Sequence, residues 1–463
     1  MQNIRLEKFL RYGIGLAALA TLAATLVFAS AALAQTETVL YSFTGQDGDG
    51  GVPSGKLLSD VAGNLYGTTF AGGSYNGSAC ASTGCGAVYE LSPAVGGSYT
   101  ESVIYTFTGG SDGGSPLAGL IMDASGNLYG TTVAGGQTGS SECKTGGTIP
   151  GCGVVFELSP KSGGGWTEQV LYTFLGGLDG LQPAAPLAFD ASGNLYGTTR
   201  LGGSQTTACP NGCGEVFKLA PNGSGGVKYT KLHAFTGGKD GNEPTAVTID
   251  GAGNLFTTTS HGGNTDCVNG GCGTVLELSS TGSGGFRGHI LHSFTGKGDG
   301  GVPIAGLTLD KAGNLYGSTL LGGYRDGLCQ GLLGIGGCGV IFELSPSGTG
   351  YTGRILYQFQ GTNGVASPYS TLAIDSSGNL YGTGVSEISS VGYVFEVSPT
   401  QNGRWNETTL YTFTNSADGN QPYNNGVIVG AEGTLYGAAE GGGNSGDCPA
   451  FAYGCGVVYE ITP

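Results

Sequence analysis

Asp123-Ala-Ser-Gly-Asn-Leu-Tyr-Gly-Thr-Thr132 is the stretch on which the fold turns, because it recurs. Equivalent segments start at Asp60, Asp190, Asp250, Asp310 and Asp375, and a weaker one runs from Gly430 to Gly437. The central Asn falls at 64, 127, 194, 254, 314 and 379, with Thr434 in the seventh copy, so the spacings are 63, 67, 60, 60, 65 and 55. Self-similarity at such a period marks an array of supersecondary units. Two more segments recur in fixed order. Gly-Cys-Gly-x-Val-[Phe/Tyr]-Glu-Leu-[Ser/Thr]-Pro spans Gly84 to Pro93, Gly151 to Pro160 and Gly337 to Pro346. [Leu/Ile]-[Tyr/His]-x-Phe-Thr-Gly and its variants start at Leu40, Ile104, Leu171, Leu232, Leu291, Leu356 and Leu410.

Each unit reads as four short strands: A before the Asp (Leu117 to Met122), B (Asn127 to Thr132), C (Val154 to Leu158) and D (Trp166 to Phe174). They are rich in Val, Ile, Tyr, Phe and Thr and bounded by Gly, Asn, Asp and Pro. Four antiparallel strands repeated seven times indicate an all-β, seven-bladed β-propeller over residues 35–463. The chain ends supply its closure. Glu37 to Phe43 is a spare D strand, and the last unit stops after its C strand, Gly456 to Ile461. Pairing the two removes a pair of exposed sheet edges. The topology puts A–B and C–D turns on one face and B–C and D–A loops on the other.

Composition agrees. Of 463 residues 95 are Gly, yet 39% are hydrophobic, with 23 Tyr and 18 Phe. Disordered chains lack such residues, and the glycines have no three-residue period. The charged fraction is only 11%, poor for helix surfaces. Residues 1–34 read as an export signal: Arg5, Lys8 and Arg11, an uncharged run from Tyr12 to Phe28, and a small-x-small site at Ala32-Leu33-Ala34. Net charge is −16 overall. An acidic chain is a poor nucleic-acid ligand and is not drawn to anionic membranes. No membrane insertion is expected after signal cleavage; the expected location is secreted, periplasmic or cell-surface.

Twelve cysteines form six pairs, one per B–C loop: Cys80/Cys85, Cys143/Cys152, Cys209/Cys213, Cys267/Cys272, Cys329/Cys338 and Cys448/Cys455. The sixth unit has none and carries Val391 instead. In an exported protein these read as disulfides; their separations of 5, 9, 4, 5, 9 and 7 are too irregular for repeated zinc sites. Asp49, Asp112, Asp179, Asp240, Asp299 and Asp418 recur as Asp-Gly in the D–A loops, with Asn363-Gly364 in the sixth. They read either as turn formers or as a ring of calcium or substrate ligands. No other cofactor is implied. The Asp of the first core and the Glu of strand C recur with the frame and read as structural, and His233 and His292 stand where other units have Tyr. No Gly-x-Ser-x-Gly elbow is present. Carboxylates unique to one unit (Glu142, Glu243, Asp266 and Glu440) are dispersed in the loops.

The Gly-Asn-Leu-Tyr-Gly-Thr-Thr and Gly-Cys-Gly-Val-Val-Phe-Glu-Leu-Ser-Pro cores resemble the GloVer tandem repeat across essentially all of residues 37–463. The resemblance implies a bacterial extracytoplasmic repeat protein of a choice-of-anchor kind, and it supplies no catalytic residue. The expectation is a binding or scaffold module for an extracellular glycan or surface protein, contacted through the variable loops. Tyr75, Tyr324, Arg325, Phe451 and Tyr453 are the loop residues best suited to stacking or hydrogen bonding. The alternatives are a carbohydrate-active hydrolase or lyase with its site at the ring's centre, and a purely structural envelope protein.

Overall fold

The computed structural model describes residues 35–462 apart from 47, 77–79, 144–148, 224, 265–266, 268–269, 283–284, 325–328, 330–334, 349, 362–365, 387–390, 424–425 and 444–453. The export signal read at residues 1–34 lies outside the described residues. No α-helix occurs among the described residues, and none of their helices is long and apolar enough to cross a membrane.

Seven antiparallel sheets form the ring. The second is representative: Ile121–Met122, Leu128–Thr132, Val154–Pro160 and Trp166–Thr173, paired in that order. In the fourth blade the first strand is split into Asn242–Pro244 and Thr248–Ile249. The ring closes as the chain ends indicate. Thr36–Ser42 pairs with Val457–Thr462, in the sheet that also holds Leu435–Ala439 and Val427–Val429.

The repeated residues are those that join blades. The strand D Phe of one blade packs edge-to-face on the strand C aromatic of the next: Phe107 on Phe156 at 5.1 Å, Phe174 on Phe217 at 5.3 Å and Phe359 on Phe395 at 5.2 Å between centroids. Phe43 on Tyr89, at 4.9 Å, carries the same contact across the closing seam. Such pairs contribute beyond their area burial. The strand B glycine makes room for them. A Cβ on Gly130 would lie 2.5 Å from Phe156 Cζ.

The two threonines that end strand B have separate roles. The first donates to the inner strand of the next blade: Thr198 Oγ1 to Thr245 O at 2.7 Å, Thr258 to Ala305 at 2.9 Å and Thr383 to Pro422 at 2.7 Å. The second, as Thr132, turns back to its own loop at Ala134 O and accepts from Val154 N.

Strand A of the second blade is shorter than the sequence indicates, whereas that of the first blade runs over Gly50–Ser59. Leu117 to Met122 reads as one strand, but only Ile121–Met122 pair with strand B. Upstream, each blade has a positive-φ residue followed by Pro: Val52, Ser115, Gln182, Glu243, Val302, Ser367 and Gln421 have φ between 54° and 58°. Pro has no N–H for a ladder. The N–H of the positive-φ residue bonds to the preceding blade, while its flanking groups keep contacts to their own strand B, as Val133 N to Ser115 O at 3.2 Å. Ser115 N donates to Cys85 O at 2.7 Å, Glu243 N to Cys213 O at 3.0 Å and Val302 N to Cys272 O at 2.8 Å.

Candidate functional site

Hydrogen bonds close the D–A turn on its aspartate. Asp112 accepts from Thr108 N at 2.8 Å, Thr108 Oγ1 at 2.5 Å and Tyr105 OH at 3.2 Å. Asp49 and Asp418 are held likewise by Thr44 with Tyr41 and by Thr414 with Tyr411, and Asp179 by Leu175 N and Tyr172. Where His replaces Tyr, the ring takes over the contact, His233 on Asp240 at 3.3 Å and His292 on Asp299 at 3.2 Å. Burial pushes Asp240 and Asp299 up, but the hydrogen bonds and the His ring outweigh it and hold both below the ordinary carboxylate range. Among the described residues no group of three or more His, Cys, Asp or Glu is arranged to hold a metal ion.

The strand C carboxylates are tied down within the frame, as by Ser159 on Glu157 at 2.8 Å and Ser279 on Glu277 at 2.9 Å.

Five disulfides join Cys80–Cys85, Cys143–Cys152, Cys209–Cys213, Cys267–Cys272 and Cys329–Cys338. Cys455 is also disulfide-bonded, and its sequence partner Cys448 lies outside the described residues. Each disulfide loop therefore sits beside the carbonyl that receives the next blade's N–H. Of the loop residues singled out for binding, Tyr324 is 47% exposed. Tyr75 is half-buried and its hydroxyl donates to Gly45 O. Arg325, Phe451 and Tyr453 lie outside the described residues.

The structure gathers another set. A cavity of about 690 Å³ runs along the axis of the ring and is lined by the inner strands of all seven blades. Its wall is mostly aliphatic and small. The exceptions are Lys56, Arg200, Glu243 and Glu440, with Tyr369 and Tyr423 in edge-to-face contact at 5.0 Å. Arg200 Nε meets Glu243 Oε2 at 2.9 Å, joining the third blade to the fourth. Arg200 and Glu440 each follow strand B, where other blades have Phe70, Val133, Ser260, Leu320 and Val385. They therefore stand on the B–C loop side of the cavity. Glu243 occupies the positive-φ position of its blade.

Burial raises the Glu440 carboxyl to about 7 and lowers the Lys56 ammonium to about 8, with no charged partner beside either to offset it. A carboxylic acid and an amine that both titrate near neutrality in a cleft can hold or move protons there.

Two of the carboxylates noted as dispersed in the sequence, Glu243 and Glu440, meet at this cavity, whereas Glu142 lies against the D–A loop glycines Gly176 and Gly177 and Asp266 is outside the described residues. Lys56 and Arg200 escaped the sequence reading. The signal available for them was departure from the repeat: Lys56 is the one charged residue at its position in seven copies.

The comparisons with known proteins add the following. No curated protein matches the chain. Among solved structures, a protein of unknown function from Dyadobacter fermentans is 13% identical, with a TM-score of 0.41 over 80% of this chain and 96% of that one. A fungal alcohol oxidase of the AA5 family in complex with copper is 12% identical, with a TM-score of 0.49 over 92% and 76%. A Trichoderma reesei carbohydrate-active enzyme of family AA12 is 11% identical, with a TM-score of 0.40 over 93% and 96%. Resemblances this distant carry no argument about activity. The model of the Gloeobacter/Verrucomicrobia repeat matches residues 80–329 and 268–463. The chain belongs to the Gloeobacter/Verrucomicrobia repeat family.

Proposed function

We propose that this chain is an exported binding module that takes an extracellular glycan at the loop-side mouth of its central cavity. One observation carries the reading: residues that depart from the sevenfold repeat (Lys56, Arg200, Glu243 and Glu440) come from four different blades and line one cavity. The Arg200–Glu243 pair also ties two blades together, but among the described residues Lys56 and Glu440 make no such link. The Tyr369–Tyr423 pair adds aromatic surface with hydroxyl tips, which suits sugar rings. The volume falls within the range of ligand sites. The disulfides support an oxidising, extracytoplasmic location, and the acidic balance opposes nucleic acid as a partner.

Glycan-array binding of residues 35–463, with and without chelator, tests this. Binding that falls at least tenfold in Tyr423→Ala supports it. No glycan bound, or full binding by Tyr423→Ala, overturns it, and loss on chelation assigns calcium a part. A second reading, a hydrolase or lyase acting on polysaccharide, is favoured by Glu440, whose raised carboxyl suits a general acid. Product release that disappears in Glu440→Gln would establish that reading.

A further inference from the structure

Lys56 sits at a position that the rest of the ring fills with small or neutral residues. It is the residue immediately before the buried aliphatic of strand A, Leu57. In the other blades that aliphatic is Leu120, Leu187, Val247, Leu307, Leu372 or Val427, and the residue before it is Gly119, Pro186, Ala246, Gly306, Thr371 or Gly426. Six copies thus build the inner wall without a charge. Gly306 is close enough to its neighbours that a Cβ would approach Ala246 Cβ to 2.8 Å, so the wall needs small residues rather than long ones. Lys56 puts a long cationic side chain at a place where the other six copies need none.

The side chain is deep in the protein yet keeps accessible surface, and it lines the axial cavity, so the surface it keeps is that of the cavity. Among the described residues no carboxylate or carbonyl pairs with its ammonium. An unpaired ammonium held away from bulk water costs free energy that a bound anion would recover. The other cation of the cavity, Arg200, is already matched by Glu243. Lys56 is therefore the cavity's unmatched cation, deep in a chain whose net charge is −16, and the other unmatched group, Glu440, is a carboxyl that burial pushes toward its neutral form. General electrostatic attraction of anions is excluded by that balance, which leaves a local one.

We infer that the cavity takes an acidic sugar, with the anionic group of the sugar, carboxylate or sulfate, seated on Lys56 and the ring near Tyr369 and Tyr423. This names the ligand class for the glycan site proposed above and rests on that reading. The ammonium supplies one compact charge with three donors, which matches either anion.

Calorimetric titration of residues 35–463 tests it. The probes are polygalacturonate with its fully methyl-esterified form, and a sulfated galactan with its desulfated form. The expected result is at least tenfold tighter binding of one acidic glycan than of its neutral counterpart, with the pair that discriminates telling carboxylate from sulfate. Lys56→Gln should abolish the discrimination while Lys56→Arg retains it, and both variants are checked for wild-type melting. A wild-type protein that binds acidic and neutral forms alike overturns the inference and leaves the glycan site standing. So does discrimination that survives in a folded Lys56→Gln. Should that variant not fold, Lys56→Met replaces it under the same criteria. Absence of binding to all four probes, together with an empty glycan array, overturns both readings.

Discussion

Thr257 pairs directly with Leu276 across the B–C ladder of the fourth blade, where each of the other six blades sets a glycine against an aromatic ring. The two departures compensate. A Cβ on Gly317 would lie 2.5 Å from Phe342 Cζ, so an aromatic residue at that place requires glycine opposite. Leu276 reaches less far and leaves space for the Thr257 side chain. Leu276→Phe alone is therefore expected to destabilise by about 1–3 kcal/mol through overpacking. Adding Thr257→Gly should recover most of that loss, and a double-mutant cycle in urea should return a coupling of about 1–2 kcal/mol. Additive effects would contradict the pairing.

The ring of Pro116 fills the space beside Gly86 in the preceding blade. A Cβ on Gly86 would approach Pro116 Cδ to 2.6 Å, and the backbone there has φ +87°. Gly96 has a matching φ of +89° but nothing within 4 Å of its Cβ position. Gly96→Ala should cost about 1 kcal/mol for backbone strain alone. Gly86→Ala carries the same strain plus the steric clash, and its urea midpoint should fall clearly further. A Cβ there would also lie 2.4 Å from Thr69 O of the same blade, so equal shifts would contradict close packing at this point.

Deleting residues 35–43 removes the strand that completes the last blade. It leaves Val457–Thr462 as an unpaired edge and exposes Tyr89, which Phe43 covers. The shortened chain is expected to self-associate through that edge, read as a concentration-dependent shift in size-exclusion chromatography. A monomer with unchanged melting would show that closure contributes little.

Stability should peak in mildly acidic solution. Burial, with Asp418, Asp49 and Asp112 nearby, raises Glu37, Glu101 and Glu168 to about 7 from an ordinary 4.5. The folded chain thus binds more protons than the unfolded chain between about pH 4.5 and 7, and stability falls as pH rises through that window. Asp123 and Asp190 behave oppositely. Burial pushes them up, but bonds from Asn, Ser N–H and Tyr outweigh it and hold them below 3.8, so their contribution is lost as pH falls through the depressed value. Melting temperature should be highest near pH 4 to 5, and Glu37→Gln, Glu101→Gln and Glu168→Gln combined should flatten the decline toward neutral pH. A decline that persists in the triple variant would assign it to other groups.

Each disulfide closes a short loop beside an inter-blade hydrogen bond, as Cys143–Cys152 does next to Gln182 N on Cys152 O at 3.0 Å. Replacing both with Ser should cost about 2–3 kcal/mol by chain entropy. The measurement is the urea midpoint of the double variant with and without reductant. A variant as stable as the parent would mean the loop needs no cross-link.

Much of the frame was legible because it is written seven times. Asp123 is an example: its spacing to Gly126 and Asn127 indicates a hairpin, and its carboxylate accepts from Ser125 N, Asn127 N and Asn127 Nδ2 at 2.8, 2.9 and 2.8 Å. Local hydrogen bonds of this kind depend on residues within four positions of each other, so a motif contains them whole. The extent of strand A was not legible. Leu117 has the composition of a strand, but just upstream Ser115 turns to positive φ and its N–H bonds to Cys85 O of the neighbouring blade, a partner 30 residues away.

The sequence by itself determined the number of blades, the strand that closes the ring and the cysteine pairing in five described loops, since each follows from repetition or from contacts close along the chain. It could not decide the candidate site. Lys56, Arg200, Glu243 and Glu440 are far apart in the chain and carry no common motif. They come together only because closure of the ring turns every inner strand toward one axis. Burial along that axis then moves Lys56 and Glu440 toward neutrality, an effect of surroundings that no linear spacing encodes.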